Sequence, residues 1–118
     1  MLRVWSSDYR SYVSGNVDFE SLNLCQPLLK ALDEIGYVTP TPIQEQAIPL
    51  LIEGNDMLGC AQTGTGKTAA FSLPILDAMA EDPWSGKPQI RVLMLCPTRE
   101  LASQIRDNIE EYARHLDI

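Results

Sequence analysis

The sequence predicts an α/β fold in which parallel strands are flanked by helices. Two short apolar runs, residues 56–61 and 90–96, have the length and composition of buried strands. Each run is followed by a segment with helical periodicity, and two further helical segments come before the first run. Strands that alternate with helices are typical of a parallel sheet, because a parallel pair needs a long crossover connection.

Two helices are predicted ahead of the first strand. The first covers residues 24–35, where apolar side chains recur at helical spacing, and Gly36 suits its C-terminal end. The second begins after Thr41, a good N-cap residue, and Gln44 completes a Thr-x-x-Gln capping box. Pro49 lies inside this second helix and is expected to bend it.

Each predicted strand is followed by a helix. The helix after the first strand begins at Gly66 and contains Pro74, which should bend it. A polar loop, residues 81–89, leads to the second strand, which ends at Pro97. Thr98 then caps the last helix. The apolar face of that helix is formed by Leu101, Ile105, Ile109, Tyr112 and Leu116.

The composition is that of an ordinary globular domain. The chain has 118 residues, of which 45% are hydrophobic and 21% are charged. No apolar run approaches the roughly 18 residues that span a membrane, and the first ten residues lack the apolar core of a signal peptide. We therefore expect a cytoplasmic protein with an irregular N-terminal arm, residues 1–18, and one domain, residues 19–118.

Charge and cysteine content narrow the classes of site. A net charge of −7 argues against a broad electrostatic surface for nucleic acid, so any such contact must be local. Cys25, Cys60 and Cys96 are an odd number without paired spacing, which favours buried free thiols over a disulfide or a metal site. His115 is the single histidine, and a surface or packing role is expected for it.

The segment AQTGTGKT, residues 61–68, predicts a phosphate-binding loop. It follows the pattern G-x-x-x-x-G-K-[ST] except at Ala61, and it lies between a predicted strand and a predicted helix. Gly64 and Gly66 allow a tight turn whose N–H groups point inward, at the positive end of the helix. Lys67 would reach the terminal phosphates, and the Thr68 hydroxyl would bind Mg²⁺. The alternative is a glycine-rich turn with one exposed lysine.

Three segments together resemble a known family. GYVTPTPIQEQAIP (residues 36–49), AQTGTGKT (residues 61–68) and PTRELA (residues 97–102) are similar, in order and spacing, to the Q motif, motif I and motif Ia of the DEAD-box ATP-dependent RNA helicases. Phe19, which lies 17 positions before Gly36, matches an isolated aromatic of that family. The resemblance implies the N-terminal part of the first RecA-like domain, a P-loop NTPase fold.

The resemblance also implies roles for individual residues. Gln44 would read the adenine of ATP through its amide, with Phe19 and Tyr37 packed near the base. The residues expected to hold the nucleotide phosphates are Ala61, Gln62, Thr63, Gly64, Thr65, Gly66, Lys67 and Thr68, with Lys67 and Thr68 serving catalysis and Thr68 serving Mg²⁺. The residues expected to lie against the RNA backbone are Pro97, Thr98 and Arg99.

Each of these roles has a structural alternative. The capping box alone explains Gln44, and core packing alone explains Phe19 and Tyr37. The PTRELA segment can be read as an ordinary strand-to-helix junction. A local anion site is the competing interpretation, because a capped helix N-terminus and the adjacent Arg99 both attract phosphate. Such a site would let an acidic protein contact RNA through a few groups.

Part of the catalytic machinery is absent from the sequence. The family supplies the Mg²⁺-holding and water-positioning carboxylates from an Asp-Glu-Ala-Asp stretch, and these 118 residues contain none. We therefore expect a chain truncated before that motif, inactive alone, that belongs to an enzyme hydrolysing ATP and unwinding RNA. The alternatives are a non-catalytic fragment that binds nucleotide or associates with itself through unpaired strands, and, more remotely, a small kinase.

Overall fold

The structure, a computed structural model, describes residues 3–5 and 17–118. Its elements in chain order are β1 (Arg3–Trp5), a 3₁₀ helix (Glu20–Leu22), α1 (Gln26–Glu34), α2 (Pro42–Ile52), β2 (Leu58–Cys60), α3 (Lys67–Glu81) and α4 (Arg99–Tyr112). The four predicted helices are all present, whereas the 3₁₀ helix was not predicted. In the described part of the chain, no helix is both long enough and apolar enough to cross a membrane.

The helix ends follow the predicted local signals. The capping box of Thr41 and Gln44 is present at the start of α2, and Pro49 lies inside that helix. At the start of α4 the Thr98 hydroxyl accepts a hydrogen bond from the backbone N–H of Leu101 at 3.2 Å. Gly36 has a φ of 82°, as expected of a glycine that follows a helix in the left-handed conformation.

A buried carboxylate joins α3 to the start of α1. Asp77 is 3% exposed and accepts a hydrogen bond from the backbone N–H of Cys25 at 2.7 Å. Cys25 is the N-cap of α1, so the negative side chain lies at the positive end of that helix. Burial, and then the neighbouring Asp77, raise the pKa of the Cys25 thiol, which therefore stays protonated at neutral pH.

The helices enclose the core. Leu28, Leu32, Ile48 and Leu73, from α1, α2 and α3, are at most 1% exposed, and Tyr112 at the end of α4 packs among them. Every buried side-chain nitrogen or oxygen in the described residues has a hydrogen-bond partner. On the predicted inner face of α4, Ile105 and Tyr112 are buried, Ile109 and Leu116 are partly buried, and Leu101 is exposed.

The predicted strand at residues 56–61 forms, but it is short and not buried. Its three paired residues, Leu58–Cys60, lie antiparallel to β1, and Leu58 is 67% exposed. Met57 packs against α2 and α3, so among the described elements only one side of the strand is covered. The prediction of burial required a second covering layer, and Cys60 is correspondingly an exposed thiol rather than a buried one.

The predicted strand at residues 90–96 is not formed in the described part of the chain. Ile90, Leu93 and Leu95 are between 76% and 88% exposed, and no ladder partner lies beside them among the described residues. Apolar composition alone does not make a strand, because its backbone groups need a neighbouring strand. The predicted parallel pairing is therefore wrong for the residues described, where the sheet is the antiparallel pair β1–β2.

The predicted irregular arm, residues 1–18, contains the strand β1. Residues 1, 2 and 6–16 lie outside the described residues.

Candidate nucleotide-binding site

The loop between β2 and α3 has the backbone conformation that the phosphate-binding motif predicts. Gly64 and Gly66 have φ values of 78° and 82°, in the left-handed region where side chains are strained. Gly66 is the N-cap of α3, so the loop delivers the chain to the positive end of a 15-residue helix. A Cβ at Gly64 would meet no atom within 4 Å, so open space lies beside the loop.

The start of α2 is tied directly to this loop. The Gln44 amide donates from Nε2 to the Gly66 carbonyl at 3.2 Å, and its Oε1 accepts from the backbone N–H of Thr41 at 2.9 Å. The Thr41 hydroxyl donates to the Thr65 carbonyl at 2.8 Å. Gln44 therefore caps its own helix and supports the loop at the same time. It is 3% exposed, and each polar atom keeps one further bonding direction.

The Lys67 ammonium lies over the loop and donates to its carbonyls. Its partners are the Ala61 carbonyl and, at 3.0 Å, the Gln62 carbonyl. The Thr65 hydroxyl also donates to Gln62, at 2.7 Å, which closes the turn. An ammonium has three donors and no acceptor. Lys67 is thus held at the loop by hydrogen bonds to neutral carbonyls. Charged phosphate oxygens would form stronger hydrogen bonds with its ammonium and would replace these carbonyls.

Thr68 follows Lys67 in the first turn of α3 and is half-buried. Its hydroxyl oxygen is the kind of hard ligand that Mg²⁺ prefers. Among the described residues there is no cluster of three histidine, cysteine or acidic side chains that could hold a metal.

A cleft of about 400 Å³ lies beside the loop, and Tyr37 and Gln44, two of the three residues predicted to contact adenine, line it. Its lining consists of Gly36, Tyr37, Val38, Thr39, Thr41, Gln44, Gly64 and Gly66. Tyr37 is 37% exposed, whereas Phe19 is 4% exposed and stacks on it with ring centroids 6.1 Å apart. Tyr37 therefore faces the cleft, and Phe19 supports its ring from behind.

The predicted RNA-contacting residues lie at the N-terminal end of α4. Pro97, Thr98 and Arg99 are exposed and immediately precede or begin α4. The Thr98 side chain uses its oxygen to cap the helix, so the exposed groups are backbone N–H groups and the Arg99 guanidinium. This end has the composition of a local anion site.

Sequence reasoning missed the bond between Thr41 and Thr65. It identified Thr41 only as a cap, and 24 positions separate the two residues. A hydrogen bond across that distance leaves no periodic signal in a single sequence. The structure brings together Gln44, Tyr37 and the loop, as predicted, while the binding role of each residue remains a prediction.

Comparison with known proteins identifies relatives over most of the chain. The family model described as DEAD/DEAH box helicase matches residues 41–118. DEAD-box ATP-dependent RNA helicase 28 of Oryza sativa subsp. japonica is 53% identical over 100 residues, which are 85% of this chain and 12% of that protein. ATP-dependent RNA helicase DeaD of Escherichia coli (strain K12) is 50% identical over 98 residues, 83% of this chain and 15% of that protein.

Solved structures give the same result for the fold. The RNA helicase Prp28 of Chaetomium thermophilum, bound to ADP, matches with a TM-score of 0.82 and 34% identity over 99% of this chain and 28% of that one. A DEAD box protein of Methanococcus jannaschii matches with a TM-score of 0.67 and 36% identity, over 80% of this chain and 25% of its own. These likenesses confirm the predicted α/β class as part of a RecA-like domain. The chain spans 12% of the length of the Oryza sativa helicase and 15% of that of the Escherichia coli helicase.

Proposed function

Because this chain belongs to the DEAD/DEAH box helicase family, we propose that it is the ATP-binding portion of an ATP-dependent RNA helicase. In the complete protein, RNA would stimulate ATP hydrolysis, and hydrolysis would drive unwinding. The chemistry is phosphoryl transfer to water, in which positioning and charge stabilisation supply most of the rate enhancement. The residues of this chain bind and orient the nucleotide.

One observation carries the proposal: Gln44 lies within 3.2 Å of the Gly66 carbonyl. An amide that reads the base and a loop that binds the phosphates can contact the same nucleotide only if they are close together. The cleft that both of them line, of about 400 Å³, also has room for a purine and its sugar. The helix terminus behind Gly66 supplies the N–H groups and the positive potential for the phosphates.

The adenine ring would pack beside Tyr37, with its edge towards Gln44. The amide has one N–H and one oxygen lone pair free after its two internal hydrogen bonds. The exocyclic amine of adenine can donate to this free lone pair, and a ring nitrogen of adenine can accept from this free N–H. Lys67 would bind the terminal phosphates. Mg²⁺ would be held by Thr68 together with phosphate oxygens and water, and when bound it neutralises phosphate charge.

RNA would contact the chain at the start of α4. The exposed N–H groups after Pro97, with Arg99 beside them, can bind backbone phosphates without reading a base. A site of a few groups is compatible with a net charge of −7. Contacts of this kind are independent of the base sequence.

The carboxylates for hydrolysis must come from outside these 118 residues. Three adjacent acidic pairs, at residues 33–34, 81–82 and 110–111, each have at least one member in an ion pair. Glu34 pairs with Arg114, Asp82 with Arg91, and Glu110 with Arg106. None follows a strand at the loop, where a Mg²⁺-holding carboxylate would be needed. The proposal therefore separates binding, which this chain performs, from hydrolysis, which needs further residues.

Adenine preference tests the proposal. We expect ATP to displace a labelled ATP probe about 10- to 100-fold better than GTP, because guanine presents a carbonyl where adenine presents an amine. Gln44→Ala should narrow that ratio towards one, while Gln46→Ala, on the same helix, should leave it unchanged. Equal competition by GTP and ATP against the unmodified chain would contradict the assignment of the cleft to adenine.

A second candidate role is self-association, favoured by the exposed segment at residues 90–95. Ile90, Leu93 and Leu95 are mostly exposed, and their backbone has no ladder partner among the described residues. Such a segment is a template for pairing with the same segment of a second copy. This role would belong to the isolated chain and does not compete with nucleotide binding.

Light scattering tests self-association. The purified chain is expected to give a mass of two or more copies, and the double variant Leu93→Asp/Leu95→Asp should give a monomer, because charge opposes apolar pairing. Trp84→Asp, which removes an exposed aromatic from the neighbouring loop, is the matched control and should not change the mass. A monomeric chain at micromolar concentration would exclude the role.

A further inference from the structure

Tyr112 connects the end of α4 to the wall of the nucleotide cleft. It is the last residue of α4 and is 2% exposed. Its hydroxyl oxygen lies 3.4 Å from that of Tyr37, and the two ring centroids are 6.1 Å apart with the planes tilted by 56°. A buried tyrosine hydroxyl needs a hydrogen-bond partner, and Tyr37 supplies it.

Tyr37 is therefore held from two sides. Phe19 stacks on its ring with an interplanar angle of 29°, and Tyr112 binds its hydroxyl. Of these three aromatic residues only Tyr37 lines the cleft beside the loop. Burial, and then the hydrogen bond to Tyr37, raise the pKa of Tyr112, so its hydroxyl stays neutral and able to donate.

The turn that follows α4 is also anchored to the segment before Tyr37. Glu34, the last residue of α1, accepts from Arg114 at 3.3 Å and contacts His115 Nε2 at 2.9 Å. The hydrogen bond to His115, more than that to Arg114, lowers the pKa of Glu34 and keeps it ionised. The segment from Glu34 to Tyr37 is thus fixed at one end to the turn that follows α4 and at the other to Tyr112, the last residue of α4.

We propose that Tyr112 is a positioning residue, which sets the Tyr37 ring against the nucleotide base and joins the cleft to α4. The inference rests on the proposed function, because it assumes that the cleft holds a base. The helix begins at Arg99 and ends at Tyr112, so its 14 residues span about 21 Å. A shift of α4 on RNA contact at its first turn would move the Tyr112 hydroxyl and, through it, Tyr37.

The test compares two ligands that differ in having a base. Tyr112→Phe removes one hydroxyl and keeps the ring in the core. We expect the affinity of the chain for ADP to fall about two- to tenfold, and the affinity for inorganic pyrophosphate, which has the same number of phosphates, to stay the same. Tyr37→Phe removes the other hydroxyl of the pair and should give the same result. The double variant should be no weaker than either single variant, because both changes delete one hydrogen bond.

Each outcome bears on the inference. Equal weakening of ADP and pyrophosphate binding by Tyr112→Phe would indicate general damage to the fold and overturn the inference. Additive losses in the double variant would show that the two hydroxyls act independently and would also overturn it. If Lys67→Ala weakens ADP binding but Tyr112→Phe does not, the inference fails while the proposed function stands. If the unmodified chain binds pyrophosphate as tightly as ADP, the cleft holds no base and both fail.

Discussion

Replacing Gly66 by alanine is expected to destabilise the chain and to abolish tight ATP binding. A Cβ at this position would lie 2.3 Å from Gln44 Nε2, closer than real Cβ contacts come, and 3.1 Å from the Thr41 hydroxyl, which is tighter than most such contacts. The φ of 82° adds strain of about 1–2 kcal/mol for any residue with a side chain. To make room, Gln44 would have to break its hydrogen bonds to the Gly66 carbonyl and to the Thr41 backbone N–H that caps α2. Loss of the cap would lower the free energy of unfolding by about 0.5–2 kcal/mol more.

Gly64→Ala is the matched control for the stability effect. Its φ of 78° imposes similar strain, but a Cβ there would meet nothing within 4 Å. Urea unfolding of both variants should therefore show the larger loss for Gly66→Ala, and the difference measures the contact with Gln44 and Thr41. Equal losses would mean that strain alone acts and that α2 does not support the loop.

The helices were predictable because their signals are local. The capping box of α2 lies within four residues, and the Thr98 cap of α4 contacts Leu101, three positions away. The phosphate-binding loop is local as well, since its glycines and its lysine lie within eight residues. Features whose causes are contained in a short window can be read from that window.

The strands were not predictable in the same way. A strand depends on a neighbour that is distant in sequence, and β2 pairs with residues more than fifty positions earlier. The apolar runs at residues 56–61 and 90–96 indicate which segments could form the buried strands of a sheet. They do not indicate whether neighbouring strands and helices are present to bury them. Leu58 and Leu93 are exposed although their sequence context resembles that of buried residues.

The candidate site falls between these two cases. The resemblance to helicase motifs brought Gln44 and the loop together through a shared ligand. It did not predict that they touch each other directly, or that Tyr112 reaches Tyr37 across 75 positions. Side-chain contacts of this kind depend on how α2, α3 and α4 pack. Three-dimensional geometry therefore contributed what the motifs could not, namely the mutual support of the binding residues.

Lys67→Ala is expected to weaken ATP binding about 10- to 100-fold, because hydrogen bonds to charged groups contribute about 1.5–3 kcal/mol each. The folded chain should lose little stability, since the partners of Lys67 are the carbonyls of Ala61 and Gln62, in a partly exposed loop that water can reach. Fluorescence titration with labelled ATP measures the affinity, and urea unfolding measures the stability.

Lys87→Ala is the matched control, because it removes the same charge from an exposed loop away from the cleft lining. It should leave the affinity unchanged. The effect of Lys67→Ala should also shrink as salt rises, since screening weakens charge pairs that solvent can reach. Equal ATP affinity in the two variants would require the Lys67 ammonium to keep its carbonyl partners when nucleotide is bound. Backbone N–H groups at the start of α3 would then hold the phosphates alone.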